Sequence, residues 1–521
     1  MMDKMKKEVM TPPVRFTPAA EGHGLRLRMS VSRRQAGDVA PQGRYRRYRR
    51  FSPWGSTGCV LFALVLIVLL LGGVRGARGM TIEEEKKMGR RVFLEIEKSA
   101  EIIRDLPLQD FVNRIGGSLL TQAGSTPFDF RFYIVKAQDP NAYAIPGGYI
   151  FLTTGLIVLA DSEQEIAGVV SHEIAHATER HIADLMDRSK RLNLATLAAM
   201  LAGVLLGGGG KATGAVATTA AAGATALTLK YTREHETEAD QTGFHTLVRA
   251  GYDPQGLLTF LNKMYKDSLA VAPKIPPYLS THPAIEDRIT LLESLIQMEK
   301  RPAGPPRPVG DYRWIQARAF VEEREPDVAV KNFESMAKTN PQDSVGYVGL
   351  GLAYRKMGRL DRSIEALERA NALSPQERDP LRELAISQFL SGRVDQAIQI
   401  LEKVVLPSGQ GTGQGEDVLT VYYLGRGYKE KSDLSKALSL FLRVQREEPD
   451  FDEVYQQLGS VYGRMGQKGL SHFNFGKYFK LRGDERSALL HFRTALDSLE
   501  RGSPEREETQ REIKILTTPP A

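Results

Sequence analysis

The stretch SHEIAHATERH, Ser171–His181, decides how the chain is read. On a helix, His172 and His176 stand four residues apart and project from one face, with Glu173 beside them. That is the spacing by which two imidazoles and a general base converge on one zinc ion, so the motif points to a metal-assisted hydrolase. Upstream, Ser162 followed three residues later by Glu165 reads as a capping box, and Ile166, Val169 and Val170 supply a face to bury. The helix that capping predicts and the helix that the metal requires therefore coincide.

Two imidazoles leave a zinc site short of a ligand. In YTREHETEADQTG, Tyr231–Gly243, Glu236 and Asp240 are again four apart on a predicted helix, sixty residues beyond His176. Taken alone, such a pair is usually a solvated face; beside an HExxH helix, one carboxylate can reach the metal while the other orients a ligand histidine. Between them, residues 192–229 are rich in Ala, Gly, Leu and Thr and are broken by Gly207–Gly210. They read as two short apolar helices in a hairpin, packed on the protein in preference to entering a membrane, or serving as a mobile cover.

Ahead of the motif, Thr81 and Glu84 form a second capping box, opening an amphipathic helix expected to run to about Ile103, with another from Leu108 to Gln122. Between Phe128 and Leu156 the pattern changes to strands, with Pro146, Gly147 and Gly148 as a turn. Zincins commonly hold an extended peptide against an edge strand beside the metal. The run Gly148, Tyr149, Ile150, Phe151 and Leu152 is the expected edge, where main-chain pairing would bind substrate with little regard to its sequence.

HEIAH, the downstream EHETEAD, the upstream NAYAIPGGYIF and the following STHPAIEDRI occur in this order between about Asn141 and Ile289. Together they resemble the membrane and periplasmic zinc metallopeptidases of the HtpX, Oma-type and type I CAAX prenyl protease family. The resemblance implies that His172, His176 and Glu236 bind one zinc ion per chain, that Glu173 is the catalytic base and that Asp240 supports the site. It places His282 near the metal, either as an oxyanion donor or as a fourth ligand that holds the enzyme inactive. A metzincin site is excluded, because its third histidine would fall at Ile182; His181 comes one place early and reads as structural.

Charge is unevenly spread. Residues 1–50 hold 13 Lys or Arg against 4 Asp or Glu, a net of +9, which leaves about −2 for the rest of a chain whose total is +7. The basic character thus belongs to a tail expected to be disordered, and nucleic-acid binding by the folded part is not implied. Residues 51–79 contain CVLFALVLIVLLL, Cys59–Leu71, which reads as a signal anchor or a cleaved signal peptide, with the preceding arginines keeping the tail cytoplasmic. Cys59 is the only cysteine, so intramolecular disulfides and a cysteine-ligated zinc are excluded.

Past a proline-rich linker at 300–310, the chain repeats. Ala329, Ser363 and Ala397 are spaced by 34, as are Gly358 and Gly392, and Pro341 and Pro375. This is the tetratricopeptide period, with small residues where paired helices cross, and it predicts five complete units and a partial one over 311–517. The expected fold is mainly α: a zincin-type α+β metalloprotease domain at 80–299, then an α-helical repeat solenoid offering a concave surface to protein.

The whole arrangement looks like the BepA-like beta-barrel assembly-enhancing proteases. That resemblance implies a zinc endopeptidase of the bacterial periplasm, tethered to the inner membrane or released, acting in quality control on misassembled outer-membrane proteins that the repeats recruit. The competing expectation is a repeat chaperone or scaffold with a latched or rarely used protease site.

Overall fold

The computed structural model describes residues 79–188, 231–270, 277–299, 312–405 and 417–518. The basic tail, the apolar segment up to residue 78, the 192–229 hairpin and the 300–310 linker lie outside the described residues. Residues Ala77–Ala521 form one compact unit; the other, Met1–Gly76, lies wholly outside the described residues. Among the described residues no helix is long and apolar enough to cross a membrane.

The first helix, α1 (Ile82–Ser99), starts where the sequence places it: Thr81 and Glu84 make both bonds of the capping box. It stops earlier than expected. Ile102–Ile103 leave the helix as a short strand, β1, because Ile103 buries in the core and both residues find partners on β2 (Arg131–Val135), Ile102 opposite Val135 and Ile103 opposite Ile134. The next helix, α2 (Leu106–Leu120), is capped by Asp105 and begins two residues before the predicted start.

β3 (Ala142–Ile145) and β4 (Tyr149–Thr153) form a hairpin through Pro146–Gly148, and the sheet order is β1-β2-β4-β3. Gly147 and Gly148 have φ of 83° and 87°, a conformation that side chains with a Cβ resist. β4 pairs in parallel with β2 on one side and antiparallel with β3 on the other. This corrects the expectation that Gly148, Tyr149, Ile150, Phe151 and Leu152 form a free edge: the crossover after β2 places β4 inside the sheet and leaves β3 at its border. α1 fixes this hairpin, since its Gly89 lies so close to the turn that a Cβ there would meet Pro146 O at 1.8 Å.

One face of the sheet packs on α4 (Glu163–Thr178), the helix that carries HExxH; Ile166, Val169 and Val170 are fully buried beside Ile150 and Leu152. Each such side chain contributes about 1.5–3 kcal/mol when removed from water. The N-terminus of α4 differs in detail from the capping box. Ser162 accepts from the Glu165 amide, but the Glu165 carboxylate accepts from the Asp161 amide at 2.9 Å and from Lys263 Nζ at 2.9 Å. α4 is preceded by α3 (Thr154–Leu159) and followed by α5 (His181–Arg188) and α6 (Arg233–Arg249). Gly243 of α6 lies against His172, where a Cβ would stand 3.1 Å from Ser171 O, so the two helices carrying the candidate ligands approach closely. α7 (Gln255–Ala270), α8 (Pro277–Thr281) and α9 (Ile285–Met298) complete this part.

From Tyr312 onward the described residues form six helix pairs, one more complete pair than the sequence predicts: α10 (Tyr312–Glu323) with α11 (Pro326–Thr339), α12 (Ser344–Lys356) with α13 (Leu360–Leu373), α14 (Arg378–Leu390) with α15 (Val394–Val404), α16 (Val418–Glu430) with α17 (Leu434–Glu447), α18 (Asp452–Arg464) with α19 (Lys468–Leu481), and α20 (Glu485–Ser498) with α21 (Pro504–Thr517). The helix α21 packs Ile513 and Leu516 on the core cluster of Phe473, Ala488, Phe492, Ala495 and Leu499.

The repeats are not hung loosely from the rest. Tyr312 Oη donates to Ile157 O at 2.6 Å, and Gln316 Nε2 donates to Val158 O and Ala160 O at 2.8 and 2.9 Å. Arg318 bridges Asp105, at 2.7 Å, and Glu383 of the third pair. Arg355 and Arg382 also hold Glu383, at 2.5 and 3.0 Å, and Arg382 reaches Asp417 at 2.9 Å. Burial opposes the Glu383 charge, yet the three guanidinium groups hold its carboxyl far below the usual range.

A depressed carboxyl stabilises the fold above its unfolded pKa and loses that contribution as pH falls through the folded value. Glu383→Gln, which removes the carboxylate shared by three arginines and leaves Arg355 without one, is expected to cost about 3 kcal/mol at pH 7. In calorimetry its Tm should fall below the parent's, with the gap closing only in strong acid.

Candidate metal centre

α4 presents His172 and His176 from one face, with their Nε2 atoms 2.9 Å apart. α6 brings Glu236 to them, Oε1 lying 3.5 Å from His176 Nε2 and Oε2 3.6 Å from His172 Nε2. His282, in the turn between α8 and α9, places Nδ1 3.1 Å from Glu236 Oε1 and 3.4 Å from His172 Nε2. One ligand atom from each of these four buried residues lies within 4.8 Å of the others. The structure thus brings together His172, His176, Glu236 and His282 from the sequence reading.

Glu173 stands at the same centre. Its Oε2 accepts from the Ala144 amide of β3 at 3.0 Å, while Oε1 faces His282 Nε2 at 3.6 Å, and among the described residues neither of the latter two atoms has a hydrogen-bond partner. Asp240 Oδ1 is 2.9 Å from His172 Nδ1, behind the ligand cluster. The strand residues Gly148–Leu152 are not at the centre: Tyr149 and Phe151 pack with Phe93 and Tyr133 on the sheet's other face.

Three contributors escaped the sequence reading. Arg288, six residues past His282 in EDRI, is 2% exposed; its Nε donates to Asp240 Oδ2 at 2.8 Å, and its Nη1 lies 2.8 Å from Glu236 Oε2. An arginine in an otherwise charged helical turn gives no sign of burial. Tyr231 stacks on His176 with ring centroids 3.9 Å apart, and Tyr278 stacks on His282 at 4.5 Å. His181, read as structural, lies with Nδ1 2.8 Å from His176 Nδ1.

The donor set fits a divalent cation. Asp240 accepts the His172 Nδ1 proton, which turns His172 Nε2 towards His176 Nε2 at 2.9 Å; two ring nitrogens that close must share either a proton or a metal cation. The electrostatics agree. Burial and the Arg288 charge push His172 down, but hydrogen bonds and charge from Asp240, with Glu236, raise it to about 9. Burial, with the His172 charge, holds His176 well below its ordinary value. Burial opposes ionisation of Glu236, yet His282, Arg288 and the two imidazole bonds keep its carboxyl well below the usual range. The same contest, won by Arg288 and His172, lowers Asp240. The pocket therefore offers ionised carboxylates and one neutral imidazole to a cation, and holds a second imidazole that surrenders its proton when the cation binds.

A helix-borne HExxH with a carboxylate from a following helix, under a small mixed sheet and ahead of paired helices, defines a metallopeptidase domain joined to a helical-repeat array. Residues 108–296 match Peptidase family M48, and residues 316–378 and 354–410 match two tetratricopeptide repeat families. The chain carries an M48 peptidase domain followed by tetratricopeptide repeats.

Among curated relatives, it is 33% identical over 299 residues to a putative beta-barrel assembly-enhancing protease of Vibrio cholerae, covering 56% of this chain and 61% of that protein. It is 33% identical over 218 residues to the beta-barrel assembly-enhancing protease of Escherichia coli, covering 42% of this chain and 45% of that protein. The mitochondrial metalloendopeptidase OMA1 of Schizosaccharomyces pombe is 24% identical over 225 residues, 41% of this chain and 61% of that protein. The chain thus spans less than two thirds of the length of each.

Metal-ligating histidines lose about 10- to 100-fold in metal affinity when the group orienting them is removed. Asp240→Asn is expected to weaken divalent-metal binding by that factor with the fold intact, measured by competition against a chromogenic chelator and by circular dichroism.

Proposed function

We propose that the protein is a zinc-dependent endopeptidase of the bacterial envelope, with His172, His176 and Glu236 as metal ligands and Glu173 as general base. The observation that carries this reading is the fully buried Glu173 carboxylate, held by the Ala144 amide at the rim of the three-ligand cluster. Two imidazoles and a carboxylate, with no thiolate, suit zinc and leave a coordination position for water. Zinc, when bound there, would acidify that water and polarise the scissile carbonyl.

The chain's own residues do the rest. Glu173 takes the proton from the attacking water and hands it to the leaving amine; its second oxygen, held by Ala144, cannot swing away. Asp240 keeps His172 in the tautomer that binds metal, and Arg288 keeps both Asp240 and Glu236 ionised. An extended substrate would pair with β3, the bordering strand, rather than with β4, as main-chain addition to a sheet requires.

The names of these relatives support envelope substrates. Beta-barrel assembly-enhancing proteases suggest clients among outer-membrane proteins and their assembly machinery, recruited by the repeat array. The N-terminal apolar segment, outside the described residues, would tether the protein to the inner membrane or be removed on export.

A second reading is favoured by one observation: His282 sits within the ligand group, not beside it. In this state it would take the position that water needs, and the enzyme would be latched. Cleavage of casein by the purified, zinc-loaded protein separates the possibilities. Glu173→Gln should bind one zinc and lose about 100- to 10,000-fold in rate; an unchanged rate would sink the mechanism. His282→Ala should cleave faster than the parent if His282 is the latch, and slower if it donates to the oxyanion.

A further inference from the structure

A second histidine is built against the metal ligand His176, and it occurs where no regular helix would put it. His181 is five residues past His176, a spacing that on a continuous helix points to a different face. The helix instead ends at Thr178, and Arg180 adopts a left-handed conformation, φ 58°, before α5 begins at His181. That conformation is strained for a residue that carries a Cβ. It is held by Arg180 Nε donating to Glu85 Oε2 at 2.6 Å and by Arg180 Nη2 donating to Met80 O. The outcome is that the His181 ring folds back under His176, 3% exposed, with the two Nδ1 atoms 2.8 Å apart.

The proton positions along this contact follow from chemistry. His176 presents Nε2 to His172 and Glu236, so its lone pair is there and its proton is on Nδ1. Nδ1 of His181 must then accept, which requires its proton on Nε2. Nε2 of His181 lies 3.2 Å from Glu238 Oε2, a carboxylate that can only accept. One donor therefore faces one acceptor at each step. His181 also stacks on His235, with centroids 4.4 Å apart, and His235 Nε2 pairs with Asp184 Oδ2 at 3.0 Å, so the ring is fixed in plane as well as in tautomer.

We propose that His181 is a positioning residue for the metal centre: the relay Glu238–His181–His176 fixes the tautomer and orientation of His176, as Asp240 does directly for His172. The two ligand histidines are thus oriented by different devices. Glu238 and Asp240 come from the same helix, α6, which also supplies Glu236, so one helix both ligates the ion and orients both imidazoles. The inference rests on the metal-centre reading above. It adds that the EHETEAD motif contributes three working carboxylates and that the HExxH motif extends functionally to its fifth following residue.

The test compares two nearly isosteric replacements in the full chain, read by zinc affinity in chelator competition. His181→Asn can place an amide oxygen where Nδ1 was; His181→Leu cannot, and both lose the stacking on His235 to the same extent. The relay requires His181→Leu to bind zinc about 10- to 100-fold more weakly than the parent, with His181→Asn recovering most of that loss. Equal losses in the two would assign His181 to packing and overturn the proposal, as would no loss in either.

Should His181→Leu not fold, Glu238→Ala decides. Glu238 is 56% exposed, so its removal spares the fold, and zinc affinity should fall by several-fold; an unchanged affinity rejects the relay. If the parent itself binds no zinc, it is the metal-centre reading that fails, and the relay with it.

Discussion

The centre of this protein is a problem of buried charge. Glu173, Glu236 and Asp240 are all fully removed from solvent within one small pocket. Carboxylates gathered in a low-dielectric interior repel one another and lose their hydration, so the fold must supply positive charge or protonate them. It supplies Arg288, itself almost wholly buried and braced against two of the three. The remaining demand is met by whatever cation the imidazoles accept. A divalent cation bound by these residues would couple binding to folding, because it would relieve the repulsion of assembling its ligands.

Much of this was legible in the sequence. The HExxH spacing, its serine cap and the buried Ile166, Val169 and Val170 follow from helical periodicity, which is local and repeats every turn. Glu236 and Asp240 follow for the same reason. What was not legible depends on long-range pairing or on a broken period. The border position of β3 is decided by a parallel crossover that no hairpin signal announces. The end of α1 at Ser99 is decided by β1 finding β2, more than twenty-five residues away. His181 comes one place early for a metzincin ligand and so reads as structural, and only the left-handed Arg180 makes the contact. Arg288 gives no sequence signal, since nothing in EDRI says which way the arginine turns.

The repeat array shows the same division. Gly358 and Gly392 mark inter-helix turns and have φ of 71° and 84°, as their period implied. The charged seam of Arg318, Arg355, Arg382 and Glu383 was not foreseeable, because each residue alone is ordinary in a repeat helix. Together they fasten the first three pairs to one another and, through Asp105, to the peptidase domain.

The bonds from Tyr312 and Gln316 to the end of α3 carry a consequence for how such a chain can be assembled from parts. Without them the buried carbonyl of Ile157 and those of Val158 and Ala160 would lose these partners. Tyr312 and Ala319 also belong to the peptidase core rather than to the repeat core. The first repeat helix is thus structural property of the catalytic half, although its sequence period assigns it to the other. Lineages that lengthen, shorten or exchange the array are free to do so only beyond it, and the natural seam for shuffling lies one helix later than the proline-rich stretch suggests.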